Sequence, residues 1–302
     1  MSFRQQLILT NMSSLPSPGT VGGKRTIFHP GNVRLHDFTL YFTQGQTGAL
    51  STPKPATKGQ IAAALERVEL KVGTTTIRDF TAAQLIARQN ILGYASTPDG
   101  ALIVRMSNPL AATVIGEEMT SWDLRGIPEL QIVLTLNVPA TGTHFDVSAI
   151  SSVDSVANTN SGGSRYIGRF IRESRWTDII GEGRKSYFLI PRTRPFSRLW
   201  LFAEDDLPTR VILRVNGIDV YDVSQTAEKP ELAMQLINYG KNPPVDNNGN
   251  VVGVWPIILN PNEVVDDRLD ITPADTLELI TERPGSGQIE FLIEQQTPGV
   301  AA

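Results

Sequence analysis

The strongest constraint on this chain is that it contains its own pattern twice. Arg67-Val-Glu-Leu-Lys-Val-Gly-Thr-Thr-Thr-Ile-Arg-Asp-Phe-Thr81 lies beside Arg210-Val-Ile-Leu-Arg-Val-Asn-Gly-Ile-Asp-Val-Tyr-Asp-Val-Ser224 without a gap. Arginine, valine, leucine, a basic residue, valine, a turn pair, an aliphatic residue and aspartate recur in register. An internal repeat is read before anything else because it sets the supersecondary unit. Here the unit is a strand running into a two-residue turn, Gly73-Thr74 or Asn216-Gly217. Asn-Gly is the strongest short-range hairpin signal because both residues tolerate positive φ.

A helical pattern follows each hairpin. In the first copy it covers Ala82 to Leu92 and stops at Gly93; in the second it covers Pro230 to Tyr239 and stops at Gly240. Proline near a helix start and glycine just past its end is the expected punctuation. The ends of the copies also agree: Pro128, Ile132, Leu134, Pro139 and Gly142 keep the spacing of Pro273, Leu277, Leu279, Pro284 and Gly287. The beginnings match more loosely. Gly23 to Phe28 echoes Gly183 to Phe188, and Leu40-Tyr-Phe42 echoes Leu199-Trp-Leu201.

Alternation of apolar and polar residues runs through 33–42, 66–72, 101–106, 129–138, 186–190, 199–202, 211–215 and 276–281. Period two implies strands with one face buried and one wet. Short strands between Gly/Pro turns imply sandwiches rather than a βαβ sheet. A chain of 302 residues leaves room for two domains. The expected fold class is all-β: two tandem eight-stranded jelly-roll β-sandwiches with short inserted helices. The expected division is an N-terminal arm over 1–21, a first jelly roll over 22–150, a connecting segment over 151–180, a second jelly roll over 181–296, and a tail over 297–302.

Along its whole length the chain resembles the major coat proteins of the corticovirus-type, membrane-containing tailless icosahedral bacteriophages. The resemblance rests on Arg67-Val-Glu-Leu with its turn and the helix through Leu85 and Ile86. It continues in Asp270-Ile-Thr-Pro-Ala-Asp-Thr-Leu-Glu-Leu-Ile280 and in the basic-aromatic Ser164-Arg-Tyr-Ile-Gly-Arg-Phe-Ile-Arg-Glu-Ser-Arg-Trp176. It implies an upright double jelly roll and a homotrimer with a pseudo-hexagonal footprint. The implied partners are neighbouring capsomers, other virion proteins and an internal viral membrane. The place of work is the virion shell, after synthesis in a bacterial cytoplasm. A trimer of two-domain subunits has six similar sides and packs hexagonally with near-equivalent contacts.

Composition narrows the alternatives. A formal charge of −4 and a pI near 5.5 argue against a nucleic-acid platform, so no sequence-specific nucleic-acid binding is expected. No cysteine is present, which removes disulfides and thiolate metal sites. The longest apolar run, Val251 to Leu259, is broken by Gly253 and Pro256 and is too short to span a bilayer. The start of the chain has too short an apolar run for a secretory signal.

Catalytic and cofactor motifs are not found, so neither an enzyme nor a bound cofactor is expected. Gly19 to Lys24 has phosphate-loop flavour, but its glycines are too close, and Arg25 stands where a magnesium-binding hydroxyl belongs. Gly181 to Ser186 lacks the third glycine of a dinucleotide loop. His29, His36 and His144 have no ligand spacing and read as surface or turn residues. Asp246 to Asn250 alternates oxygen side chains, yet lacks the sixth-position glycine and closing glutamate of a calcium loop. Asp266, Asp267 and Asp270 read as a solvated loop, with a cation at a subunit contact as the other reading.

The candidate contact residues are Arg165, Arg169, Arg172 and Arg175, interleaved with Tyr166, Ile167, Phe170, Ile171 and Trp176. At helical spacing the arginines share one broad face. Two readings stand: a linker helix packing its apolar stripe between sandwiches, or contact with acidic lipid headgroups or a neighbouring capsomer. The Ser/Pro-rich first 21 residues fit an interlocking arm or an unordered lead-in. The rival function is a non-enzymatic double-sandwich binding module such as a phage spike or carbohydrate binder.

Overall fold

The computed structural model describes residues 5–15, 23–46, 54–93, 98–108, 117, 120–124, 126–137, 143–155, 169–188, 190–203, 206–226, 228–241, 253–259 and 269–298. The chain divides into two compact units. One is Met1–Ile86 with Ser96–Phe170 and Pro298–Ala302; the other is Ala87–Ala95 with Ile171–Thr297.

The first unit carries β1 (Gln5–Leu15), β2 (Gly23–Pro30), β3 (Val33–Gln46), β4 (Lys54–Pro55), α1 (Lys58–Ala64), β5 (Leu65–Val72) and β6 (Thr75–Phe80). After them come α2 (Ala82–Ile91), whose residues from Ala87 on belong to the second unit, then β7 (Ala101–Arg105), β8 (Trp122–Asp123), β9 (Glu129–Leu136) and β10 (Thr143–Ser155). One sheet has the order β2-β9-β5-β6. The other runs β1-β10-β3, and the free side of β3 pairs with β4, β7 and β8 along its length. The second unit carries β11 (Arg169–Ile180), β12 (Gly183–Tyr187), β13 (Phe196–Ala203), β14 (Arg210–Val215), β15 (Ile218–Ser224), α3 (Glu231–Asn238), β16 (Val254–Ile258), β17 (Leu277–Arg283) and β18 (Gly287–Pro298). Its sheets are β12-β17-β14-β15 and β11-β18-β13-β16. The two units therefore share one strand plan, and each is a jelly roll.

The correspondence reaches local detail. The β14–β15 turn is Asn216 at φ 49° and Gly217 at φ 80°, and its counterpart has Gly73 at φ 58°. The register of β5 with β6 shifts between Leu70 and Lys71, and that of β14 with β15 between Leu213 and Arg214, the aligned positions. Arg67 Nε donates to Asp79 at 2.6 Å, while the aligned Arg210 Nε donates to Asp222 at 2.8 Å. Ahead of α2 the Thr81 amide donates to Gln84 Oε1 at 3.0 Å; ahead of α3 the aligned Ser224 amide donates to Glu231 Oε2 at 2.9 Å. Both helices end at a left-handed glycine, Gly93 at φ 74° and Gly240 at φ 69°. One anchor is displaced. Leu70 pairs with Ile132, but Leu213 pairs with Leu279 rather than the equally spaced Leu277. A two-residue slip keeps every side chain on its face.

Each core lies between the two sheets of its unit. In the first, Leu40, Phe42, Leu70, Ile132 and Leu134 are buried, and Phe42 meets Phe145 edge-on at 6.3 Å. In the second, Phe291 stacks on Trp176 at 4.7 Å and tilts against Tyr187 at 4.8 Å. Side chains of this size contribute about 1.5–3 kcal/mol each when removed from water.

Several expected boundaries differ. Residues 5–15 are not an arm but a strand antiparallel to β10, with Gln5 opposite Val153 and Ile8 opposite Ile150. Pairing satisfies backbone groups that an extended arm would leave to water. Residues 169–180 are likewise a strand rather than part of a helical connection. The final strand of the first sandwich runs on to Ser155, beyond the expected limit at 150. The strand leading into the second sandwich is Gly183–Tyr187, ahead of the expected 186–190. The short helix α1, capped by a reciprocal Thr57/Gln60 box, had no counterpart in the sequence reading.

Candidate assembly surfaces

Strand register decides which face each side chain takes. In the second unit Leu199, Leu201, Phe291 and Ile293 point to the core, since Phe291 meets Tyr187 of the opposite sheet. Arg198, Trp200, Leu292 and Glu294 therefore point to the outer face. Trp200 is nevertheless fully buried. The second unit includes residues 87–95, and among them Ile91 and Leu92 join its hydrophobic core.

Arg88 enters the same outer face. It donates to Glu173 at 2.7 Å and to Glu294 at 3.2 Å. Glu294 also accepts from Arg198 at 3.2 Å and from Trp200 Nε1 at 2.7 Å. All four charged side chains are 6% exposed or less. Two guanidinium groups and two carboxylates balance, which makes their burial tolerable, because attraction and hydrogen bonding offset desolvation.

In the first unit Phe42, Leu40, Val147 and Ala149 point inward and are buried. Thr39, Tyr41, Ser148 and Ile150 alternate to the outer face, with Ile8 opposite Ile150. Tyr41, which occupies the place of Trp200 in the repeat, is 42% exposed, and Ile8 is 74% exposed. Other exposed apolar residues are Phe28 and Phe188, at matching ends of β2 and β12, together with Ile179, Ile218, Val220, Met234, Ile237 and Tyr239.

The four candidate arginines do not form one face. Arg165 lies outside the described residues, and only the backbone of Arg169 is described. Arg172 and Arg175 are on β11, an odd number of positions apart, so they point to opposite faces. Arg175 is ion-paired with Glu290, and Trp176 belongs to the core stack. Of the acidic group, Asp266 and Asp267 lie outside the described residues, as do 246–250; Asp270 accepts from the Thr272 amide at 3.0 Å.

Two histidines are buried rather than at the surface. His36 Nε2 sits 3.0 Å from Asp154, which also binds Arg34 at 3.1 Å. His29 contacts Ser151 Oγ at 2.9 Å and the Pro30 carbonyl at 2.7 Å. Burial holds its pKa below 6.5, against the opposing pull of the Pro30 carbonyl. The side chain of His144 lies outside the described residues. Among the described residues no group of three His, Asp or Glu could hold a metal ion, and no helix is long and apolar enough to cross a membrane.

A family model, the viral coat protein P2 N-terminal domain, matches residues 14–155. No match is found among curated proteins. Among solved structures the chain is similar to the major capsid protein P2 of bacteriophage PM2, with 16% identity, 98% of both chains covered and a TM-score of 0.71. It is also similar to a chain of Sulfolobus Turreted Icosahedral Virus, with 11% identity, 98% of this chain and 90% of that one covered, and a TM-score of 0.64. A chain of the PBCV-1 virus capsid aligns at 11% identity over 98% and 94%, with a TM-score of 0.54. At these identities the likeness establishes the double jelly-roll fold.

Three substitutions test these polar groups. Arg88→Ala leaves Glu173 and Glu294 buried without their shared cation and should cost about 3–5 kcal/mol in urea unfolding. Arg67→Ala, from a half-exposed pair, should cost no more than about 1 kcal/mol. As pH falls below 6.5, the unfolded chain takes up the His29 proton before the folded chain does, so stability declines toward the depressed folded value. His29→Gln should flatten the melting-temperature profile between about pH 6.5 and 5; an unchanged slope would exclude His29 as the cause.

Proposed function

We infer that this chain, whose residues 14–155 match the viral coat protein P2 N-terminal domain, is the major capsid protein from which a virion shell is tiled. The observation that carries this is the shared strand plan of the two units, set beside the coat-protein family match. The rival reading as a spike or carbohydrate-binding module is not favoured, because the matched family is one of coat proteins.

The working unit in this proposal is a homotrimer acting as a pseudo-hexameric capsomer. Two sandwiches per chain give three copies six similar sides, and near-equivalent contacts then suit a hexagonal lattice. The role is structural, without catalysis. Neighbouring capsomers, other virion proteins and an internal membrane are the partners it implies. Exposed apolar side chains on both units support a surface made for contact with more protein.

Native mass by light scattering over a range of concentrations tests the trimer. The expected result is a concentration-independent mass of three 33.0 kDa chains. A monomer at every concentration contradicts the capsomer reading.

A further inference from the structure

The two inserted helices are equivalent in the repeat but not in their surroundings. Aligned at the terminating glycines, Ala87 corresponds to Met234, Arg88 to Gln235, and Leu92 to Tyr239. Ala87 packs against the second unit's core, Leu92 belongs to it, and Arg88 ends on the outer face at Glu294. On α3 the corresponding positions face solvent: Met234 is 60% exposed, the adjacent Ile237 61%, and Tyr239 38%. The inner side of α3 is already used, by buried Leu232, Ala233 and Leu236. At about 100° per residue Met234 and Tyr239 flank Gln235, which hydrogen-bonds Tyr239, on one exposed side of α3, while Ile237, aligned with exposed Asn90, falls outside that side.

A receiving surface of the matching kind exists on the first unit. The outer face of β11-β18-β13 buries Trp200 beneath residues of the second unit, whereas the outer face of β1-β10-β3 leaves Tyr41 and Ile8 open. The charge pattern changes on both sides together. Arg88 meets Glu294 and lies beside Arg198; α3 offers Gln235, and the sheet positions aligned with Glu294 and Arg198 are Ile150 and Thr39. A charge lost from only one side would leave the other buried and uncompensated, so matched loss is what a conserved contact requires.

We propose that the side of α3 that carries Met234 and Tyr239, with Gln235 between them, docks on the outer face of β1-β10-β3 of a second copy of this chain, over Ile8 and Tyr41. This repeats between chains the contact that residues 87–92 make inside the second unit. The docking and receiving surfaces are different patches, so the contact is heterologous and closes into a ring. The proposal rests on the capsomer reading, which makes that ring a trimer.

The chain has no cysteine, so introduced thiols report without background. Met234→Cys, Tyr41→Cys and the double variant are treated with a short bis-maleimide, then separated under denaturing conditions, after the native mass of each is measured. The double variant should give linked species up to the trimer, at least about 10-fold above either single variant. Linking by Met234→Cys alone as strongly as by the double variant would indicate a two-fold contact and overturn the proposal. A double variant that is trimeric by native mass but does not link also overturns it, while leaving the capsomer reading intact. A monomeric native mass overturns both. Met234→Glu, at a site open in the single chain, should leave the circular-dichroism spectrum of the fold unchanged and weaken association by about 10-fold or more. Unaltered association of that variant counts against the docking surface.

Discussion

A β-sheet has two faces, and a two-layer sandwich covers only one of them. In this chain the uncovered faces are not the polar surfaces that water would favour. The second unit places Trp200, Leu292 and a set of four charges on its outer face, and the first places Ile8, Tyr41 and Ile150 there. Something must cover these side chains. Of residues 87–92, Arg88 donates on this outer face to Glu294, which also accepts from the fully buried Trp200. The ion cluster there is viable because its charges cancel and Trp200 donates to one carboxylate oxygen. Much of the remaining architecture follows from this need for cover, including the helix inserted after the second hairpin strand in each copy.

What the two copies have kept, and what they have changed, separates folding from assembly. The two-residue turn, the bulge one step into the hairpin and the Arg–Asp pair across it recur at aligned positions. A bulge sharpens the local twist, so retaining it retains the path of the chain into the helix. The exposed Arg–Asp pairs add little energy, but they mark the same cross-strand register in both copies. The changes fall on the helix sides that face away from their own hairpin: Ala87 against Met234, Arg88 against Gln235, Leu92 against Tyr239. Divergence there lets two similar sandwiches make two different neighbours.

The repeated hairpins and helices were legible because their signals are local. Alternation, Asn216-Gly217 and the stop glycines each act within a few residues, and the hairpin strands and helices form where those signals lie. Strands β1 and β11 were hidden. The Ser/Pro composition around β1 resembles that of an arm, and its pairing with β10 is made far along the chain. In β11 the arginines recur at near-helical intervals, yet the strand splits Arg172 and Arg175 between faces and sends Trp176 to Phe291. The buried polar groups were out of reach for the same reason. Arg88 lies 85 residues from Glu173 and 206 from Glu294, and His29 lies 122 from Ser151. No spacing rule links residues that far apart; only the closed sandwich does.

An electron cryo-microscopy reconstruction of the purified capsomer is the most direct test of this account. The account predicts three chains forming a closed ring of six sandwiches, the first and second units alternating, with α3 of each chain seated on β1-β10-β3 of the next. A ring in which Met234 and Tyr239 face solvent, or one in which first units contact only first units, would contradict it.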